Sequence, residues 1–232
     1  MAADKAPAPT GTTELPVDGF LPAFVSWPHA RSWPQPTLVA AHGAGDYAES
    51  HCELWRHLLA ARGVVLCLRG RAIGKAAEGR GYYFPDHFSL RHEALAAIGA
   101  LEQRHADLAD TQRLVYAGYS QGAQMGMLML LDRGALAPQL LLVEGGAGDW
   151  SSNSASMFAH SGGEGVALVC GTPGCHRRAQ VAATRLEAVG VAARVHYVPG
   201  GGHTYLGAMV PEVAAAFAEL TQGDPRWGRT SP

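Results

Sequence analysis

Apolar and polar positions fall into two alternating kinds of segment along this chain. Short apolar runs bounded by glycine or proline occur at 19–27 (GFLPAFVSW), 37–42 (TLVAAH), 63–69 (GVVLCLR), 113–118 (RLVYAG), 139–144 (QLLLVE), 166–170 (VALVC) and 193–198 (ARVHYV). Several lack the polar alternation of a half-exposed strand, as expected for strands buried on both faces. Between them, helical patterns cover about 49–61, 89–106, 121–133, 176–189 and 208–221. Strand alternating with helix predicts an α/β fold, a mostly parallel central sheet with helices on both faces. The first strand or two are expected to pair antiparallel at one edge. No internal repeat is visible. The pattern predicts one domain over 17–222, between a flexible Ala/Pro/Thr-rich tail at 1–16 and an irregular tail at 223–232.

In open α/β sheets, ligands bind beyond the carboxyl ends of the strands. The residues standing there are HGAGD after 37–42, YSQG after 113–118, Glu144 and GGAGDW after 139–144, GTPGC after 166–170, and PGGGHTY after 193–198. Ser120, Glu144 and His203 all fall on this rim.

Ser120 lies between Gly118 and Gly122, where an apolar strand runs into a helical pattern. A nucleophile at so sharp a turn needs a strained backbone and small neighbours, which glycine two before and two after provides. The following helix turns its N–H groups and positive dipole end toward the site. The bland alternative is a serine that only caps the helix. His203, in a glycine-rich loop after the last strand, is the best placed of the 11 histidines to act as base. His42 ends a strand on the same rim. A developing oxyanion needs N–H donors: Gln121, directly after Ser120, is one. The second is expected from the loop after 37–42, with Ala44 the choice and Gly45 the fallback. Asp46 is expected to brace that loop.

Composition acts mainly by exclusion. With a formal net charge of −2 over 232 residues neither sign dominates, and nothing points to nucleic acid or an anionic membrane. No apolar run approaches the roughly 20 residues of a membrane span. The N-terminus lacks the apolar core of a signal peptide. A cytoplasmic chain is the default, and an exported mature form stays open. No HExxH, paired CxxC or Asp-rich loop is present, so no metal and no cofactor is expected. Cys52 and Cys67 sit in a predicted helix and a predicted strand. Cys170 and Cys175 flank the turn CGTPGC; a disulfide there and two small thiols are both open. Oligomeric state is not set by these patterns.

HGAGD, GYSQGA and GGGHTY, in that order over about 37–221, resemble the α/β-hydrolase superfamily. Within it, the motifs resemble those of the serine carboxylesterase, acyl-protein thioesterase and dienelactone hydrolase-like branches. Dienelactone hydrolases proper use a cysteine where this chain has Ser120. The resemblance implies a hydrolase acting on a small-molecule ester, with chain order nucleophile, acid, histidine, which favours His203 over His42. Thioester or amide hydrolysis, or acyl transfer, would use the same machinery.

The chain departs from its relatives at the acid. They carry an aspartate after the next-to-last strand, where this chain has GTPGC. The first candidate is Glu144, at the end of the preceding strand, as in some lipase-like members. An acid ending so apolar a strand needs a partner, which a histidine N–H would be. Asp149 is the fallback. The third alternative is a dyad or a non-catalytic binding protein, with Glu144 bound to backbone N–H groups or Arg69.

Two segments are candidates for the substrate wall, 70–88 with Tyr83 and 145–165 with Trp150. Arg71 is a candidate for a substrate carboxylate. Neither segment is long enough for a large cap domain, so an open site is expected.

Overall fold

The computed structural model describes residues 9–29, 32, 34–75 and 79–228. Eight strands form one sheet: β1 Gly11–Leu15, β2 Ala23–Trp27, β3 Gln35–Ala41, β4 Val64–Leu68, β7 Ala109–Tyr119, β8 Gln139–Val143, β9 Gly165–Cys170 and β10 Ala192–Tyr197. Their order is β1-β2-β4-β3-β7-β8-β9-β10. β2 runs antiparallel to β1 and β4, and the rest of the sheet is parallel. A separate two-stranded hairpin pairs β5 Arg71–Ala72 with β6 Tyr82–Tyr83.

The alternation within each strand divides the core in two. Val39, Leu66, Tyr116, Leu142 and Leu168 face one way, toward α2 His87–His105, α3 Gln121–Leu130, α4 Ser152–His160 and α5 Pro173–Glu187. Leu38, Val65, Val115, Leu141 and Val169 face the other, toward α1 Ala48–Leu58 and α6 Met209–Leu220. The helices meet these faces with apolar stripes at helical spacing. In α1 the stripe is Ala48, His51, Cys52, Trp55 and Leu58; in α6 it is Met209, Val213, Ala216 and Phe217. The N-termini of three helices are capped by side chains: Asp86 accepts from the Ser89 N–H, Ser151 from Ser154, and Thr172 from Cys175. Among the described residues no helix is long and apolar enough to cross a membrane.

The structure moves both expected domain limits outward. Part of the segment expected as a tail, Gly11–Leu15, is the edge strand β1, in full register with β2; the segment 1–8 lies outside the described residues. Beyond 222, a 3-10 turn at Pro225–Trp227 buries the Trp227 indole against Phe217, with ring centroids 5.0 Å apart. The segment 145–165, a candidate substrate wall, contains α4. Its nine residues form no cap domain. Both cysteine pairs are disulfides: Cys52–Cys67 joins α1 to β4, and Cys170–Cys175 closes the turn after β9.

Candidate active site

β7 ends at Tyr119 and α3 begins at Gln121, so Ser120 alone makes the turn, at φ 50° and ψ −113°. Positive φ strains a residue with a Cβ. The neighbouring glycines make the turn feasible. A Cβ on Gly118 would collide with the Ala123 backbone, and one on Gly122 with the carbonyl of Ala41. The Gly122 N–H instead donates to the His42 carbonyl at 3.1 Å, which draws the end of β3 against the start of α3. Ser120 thus stands above the sheet at the positive end of a helix.

The His203 ring meets Ser120 from the loop after β10. Its Nε2 is 2.8 Å from Ser120 Oγ, and its Nδ1 is 3.1 Å from Glu144 Oε2. The His203 side chain is 55% exposed and that of Glu144 only 2%. The ring is therefore reachable from solvent, while its carboxylate partner is not. Tyr119 fixes the loop from below by donating its hydroxyl to the His203 carbonyl at 2.8 Å. Burial first, then the charges of Asp46 and Glu144, push that phenol up to about 12, so it remains a neutral donor.

Glu144 ends β8 in the same way that Ser120 ends β7, with φ 49°. Its Oε1 accepts the N–H groups of Gly171 (2.5 Å) and Thr172 (2.8 Å). Its Oε2 accepts the Thr172 hydroxyl at 3.0 Å and faces His203. These donors lie at the N-terminus of α5, where the helix field also favours an anion. A buried carboxylate held this way is fully partnered, as burial requires.

The other sequence candidates divide clearly. Asp149 lines the cleft beside Ser120, but Glu144 occupies the histidine's Nδ1 side. Arg69 pairs with Glu14 at 2.6 Å and lies over the Phe24 ring, so it is not the partner of Glu144. His42 is buried, with Nδ1 2.7 Å from the Gly43 carbonyl and Nε2 2.9 Å from that of Arg69, so both nitrogens are engaged away from Ser120. In the HGAGD turn, the Gly45 N–H donates to the Tyr82 carbonyl at 2.8 Å. Among the described residues, no hydrogen bond engages the Ala44 N–H. Gln121 is the first residue of α3, where N–H groups have no partner within the helix. Asp46 braces the turn by accepting from the Gly43 N–H (3.3 Å) and the Tyr205 hydroxyl (3.4 Å).

The three expected substrate contacts are corrected by the structure. The Trp150 indole is fully buried and packs against Phe158. Arg71 and Tyr83 pair in the small hairpin, and Arg71 lines a separate cavity of about 580 Å³ with Phe20, Leu21 and Glu93. The cleft beside Ser120 and His203 holds about 470 Å³; Gln124, Met125, Gly148, Asp149, Cys175 and Arg178 also line it. Sequence reasoning missed Thr172 and Tyr119 as supports of Glu144 and His203. Thr172 carried a usable signal, since threonine before proline marks a helix start.

No protein-family model matches the sequence, and no curated protein matches it. Solved structures share its fold. A carboxyl esterase from Bacillus coagulans superposes with TM-score 0.69 at 12% identity, over 93% of this chain and 99% of that one. A dienelactone hydrolase from Anabaena variabilis gives 0.66 at 16%, over 91% and 96%. Acyl-protein thioesterase 2 from Zea mays gives 0.59 at 17%, over 85% and 98%. The chain has the α/β-hydrolase fold, and its described residues form no large cap domain.

Proposed function

We propose that this protein hydrolyses carboxylic esters through an acyl-enzyme on Ser120. The observation that carries the reading is the relay from Ser120 Oγ to His203 Nε2 and from His203 Nδ1 to the buried Glu144 carboxylate. Glu144 holds the proton on Nδ1, which leaves Nε2 free to take the serine proton as Oγ attacks the acyl carbonyl. The imidazolium that forms is stabilised by Glu144 and gives its proton to the departing alkoxide. The N–H groups of Gln121 and Ala44 hold the oxyanion. Water then attacks the acyl carbon with His203 again as base, releasing the acid and restoring Ser120. The esterases and thioesterase among its structural neighbours support a hydrolase.

The same relay would cleave thioesters or amides, or pass the acyl group to another acceptor. A carboxylate in reach of His203 Nδ1 favours an enzyme over a non-catalytic binding protein on this fold. The cleft of about 470 Å³ suits a small-molecule ester. The test is turnover of p-nitrophenyl esters of increasing chain length, beside matched thioesters and anilides, by wild type, Ser120→Ala and His203→Ala. Ester turnover by wild type that disappears in both variants is expected. A folded wild type that turns over none of these, or a Ser120→Ala variant as active as wild type, would sink the proposal.

A further inference from the structure

The place where related chains carry the acid holds instead the disulfide-closed turn Cys170–Cys175. We propose that this disulfide is a positioning element for the reaction: it holds the turn that orients Glu144 and His203 toward each other. The inference rests on the roles proposed above for those two residues and Ser120.

The turn touches both partners. From inside the ring closed by the disulfide, the Gly171 and Thr172 N–H groups and the Thr172 hydroxyl all donate to Glu144. The Gly171 carbonyl accepts the Gly202 N–H at 3.1 Å, one residue before His203. The Cys170 carbonyl accepts the Val198 N–H at 2.9 Å, where β10 enters the same loop. The approach is close: a Cβ on Gly171 would collide with the Gly202 carbonyl. The two sulfurs and a carboxylate oxygen of Glu144 lie within 4.8 Å of one another. Only five positions separate the cysteines, with their Cα atoms 5.5 Å apart. So short a ring limits how far residues 171–174 can move. Opening it would free the turn while leaving Ser120, Glu144 and His203 unchanged as residues. A displacement of about 1 Å in such a relay lowers rate about a hundredfold.

Two perturbations test this. Cys175 lines the cleft but is only 3% exposed, so a small dithiol is applied in excess until the bond is reduced. Attack on that sulfur breaks the Cys170–Cys175 bond, and Cys170 leaves as thiolate and takes a proton. The reagent's second thiolate then closes its own cyclic disulfide and releases the Cys175 thiol. Alkylation with mass spectrometry reports which pair has opened. The Cys175→Ser variant opens this ring without touching Cys52–Cys67. In both cases kcat and KM for p-nitrophenyl butyrate are measured, with the far-downfield proton resonance of a carboxylate-bound His203 Nδ1–H as a readout independent of turnover.

The expected result is a kcat lower by about tenfold to a hundredfold, KM within about twofold, a weakened Nδ1–H resonance, and recovery when the reduced wild type is reoxidised. Unchanged kcat and resonance in protein shown to be open at Cys170 and Cys175 would overturn the proposal. Global unfolding of Cys175→Ser would overturn it too, in favour of a purely structural crosslink. An oxidised wild type inactive toward every ester would count against the role given to Ser120; the resonance would still decide whether the disulfide holds Glu144 on His203.

Discussion

Replacing Glu144 by glutamine separates the carboxylate's charge from its place in the fold. The amide oxygen can keep the two N–H donors now on Oε1, from Gly171 and Thr172. The amide NH2 then faces the Thr172 hydroxyl and His203 Nδ1. The hydroxyl can rotate to accept, so stability should change by less than about 1 kcal/mol. The ring cannot adapt without harm. To accept from the amide it must carry its proton on Nε2, which then cannot receive one from Ser120. A wrong tautomer of this kind lowers kcat by about 10³–10⁴, about 4–5 kcal/mol of barrier, with KM little changed. Glu144→Ala is the contrast. It strands two buried N–H donors, at about 1–3 kcal/mol each, so its Tm should fall by at least about 4 °C. The assay is kcat and KM on p-nitrophenyl butyrate beside thermal melts of all three proteins. A Glu144→Gln variant with unchanged Tm and kcat within about tenfold of wild type would refute the reasoning.

Three further outcomes follow from the geometry. Ser120→Gly removes a Cβ from a backbone at φ 50° and should raise stability by about 1 kcal/mol while abolishing turnover; a lower Tm would contradict the strain. Gly122→Ala drives a methyl group into the Ala41 carbonyl and should destabilise by about 3 kcal/mol or more, read by urea unfolding; a near-neutral effect would show that α3 does not seat against β3 as described. His51 is held well below the ordinary imidazole value, chiefly by burial and then by His42, and its Nε2 accepts from the Trp55 indole. The unfolded ring takes up a proton near pH 6.5 and the folded ring only well below it, so acidification through this window favours the unfolded state, by at most about 1.4 kcal/mol per pH unit. His51→Gln keeps an acceptor for Trp55 and should lose stability less steeply than wild type between pH 7.5 and 5; parallel losses in urea titrations would refute this.

What could be read from the sequence was what depends on local pattern. Seven apolar runs became seven of the eight strands of the sheet, β2 to β4 and β7 to β10, because a short apolar run bounded by glycine or proline is a signature that needs no tertiary information. Ser120, Glu144 and His203 stood together on one rim because a parallel sheet puts all its strand ends on one side. The absence of an aspartate in GTPGC raised the question of the acid. In the structure the carboxylate beside His203 is that of Glu144, one strand earlier, and the GTPGC turn supplies its donors. The features that escaped depend on where a segment packs. GTTEL is too short and polar to announce β1, which exists only because β2 offers an edge. Trp150 looked like a wall of the pocket but fills the core beside Phe158. Arg71 is a candidate for a substrate carboxylate by sequence, yet it lines another cavity. Cys52 and Cys67 pair across a helix and a strand, a meeting no spacing rule announces.

The most direct test of the central claim is to find where an acyl-type label lands. The protein would be treated with a fluorophosphonate, or trapped with a slowly hydrolysed p-nitrophenyl ester, then digested with trypsin and mapped by mass spectrometry. The peptide from 114 to 133 contains Ser120 as its one serine. A stoichiometric adduct on Ser120, absent after denaturation before labelling and absent in Ser120→Ala, is the predicted result. An adduct on another residue, or none on a folded protein that still hydrolyses the ester, would contradict it.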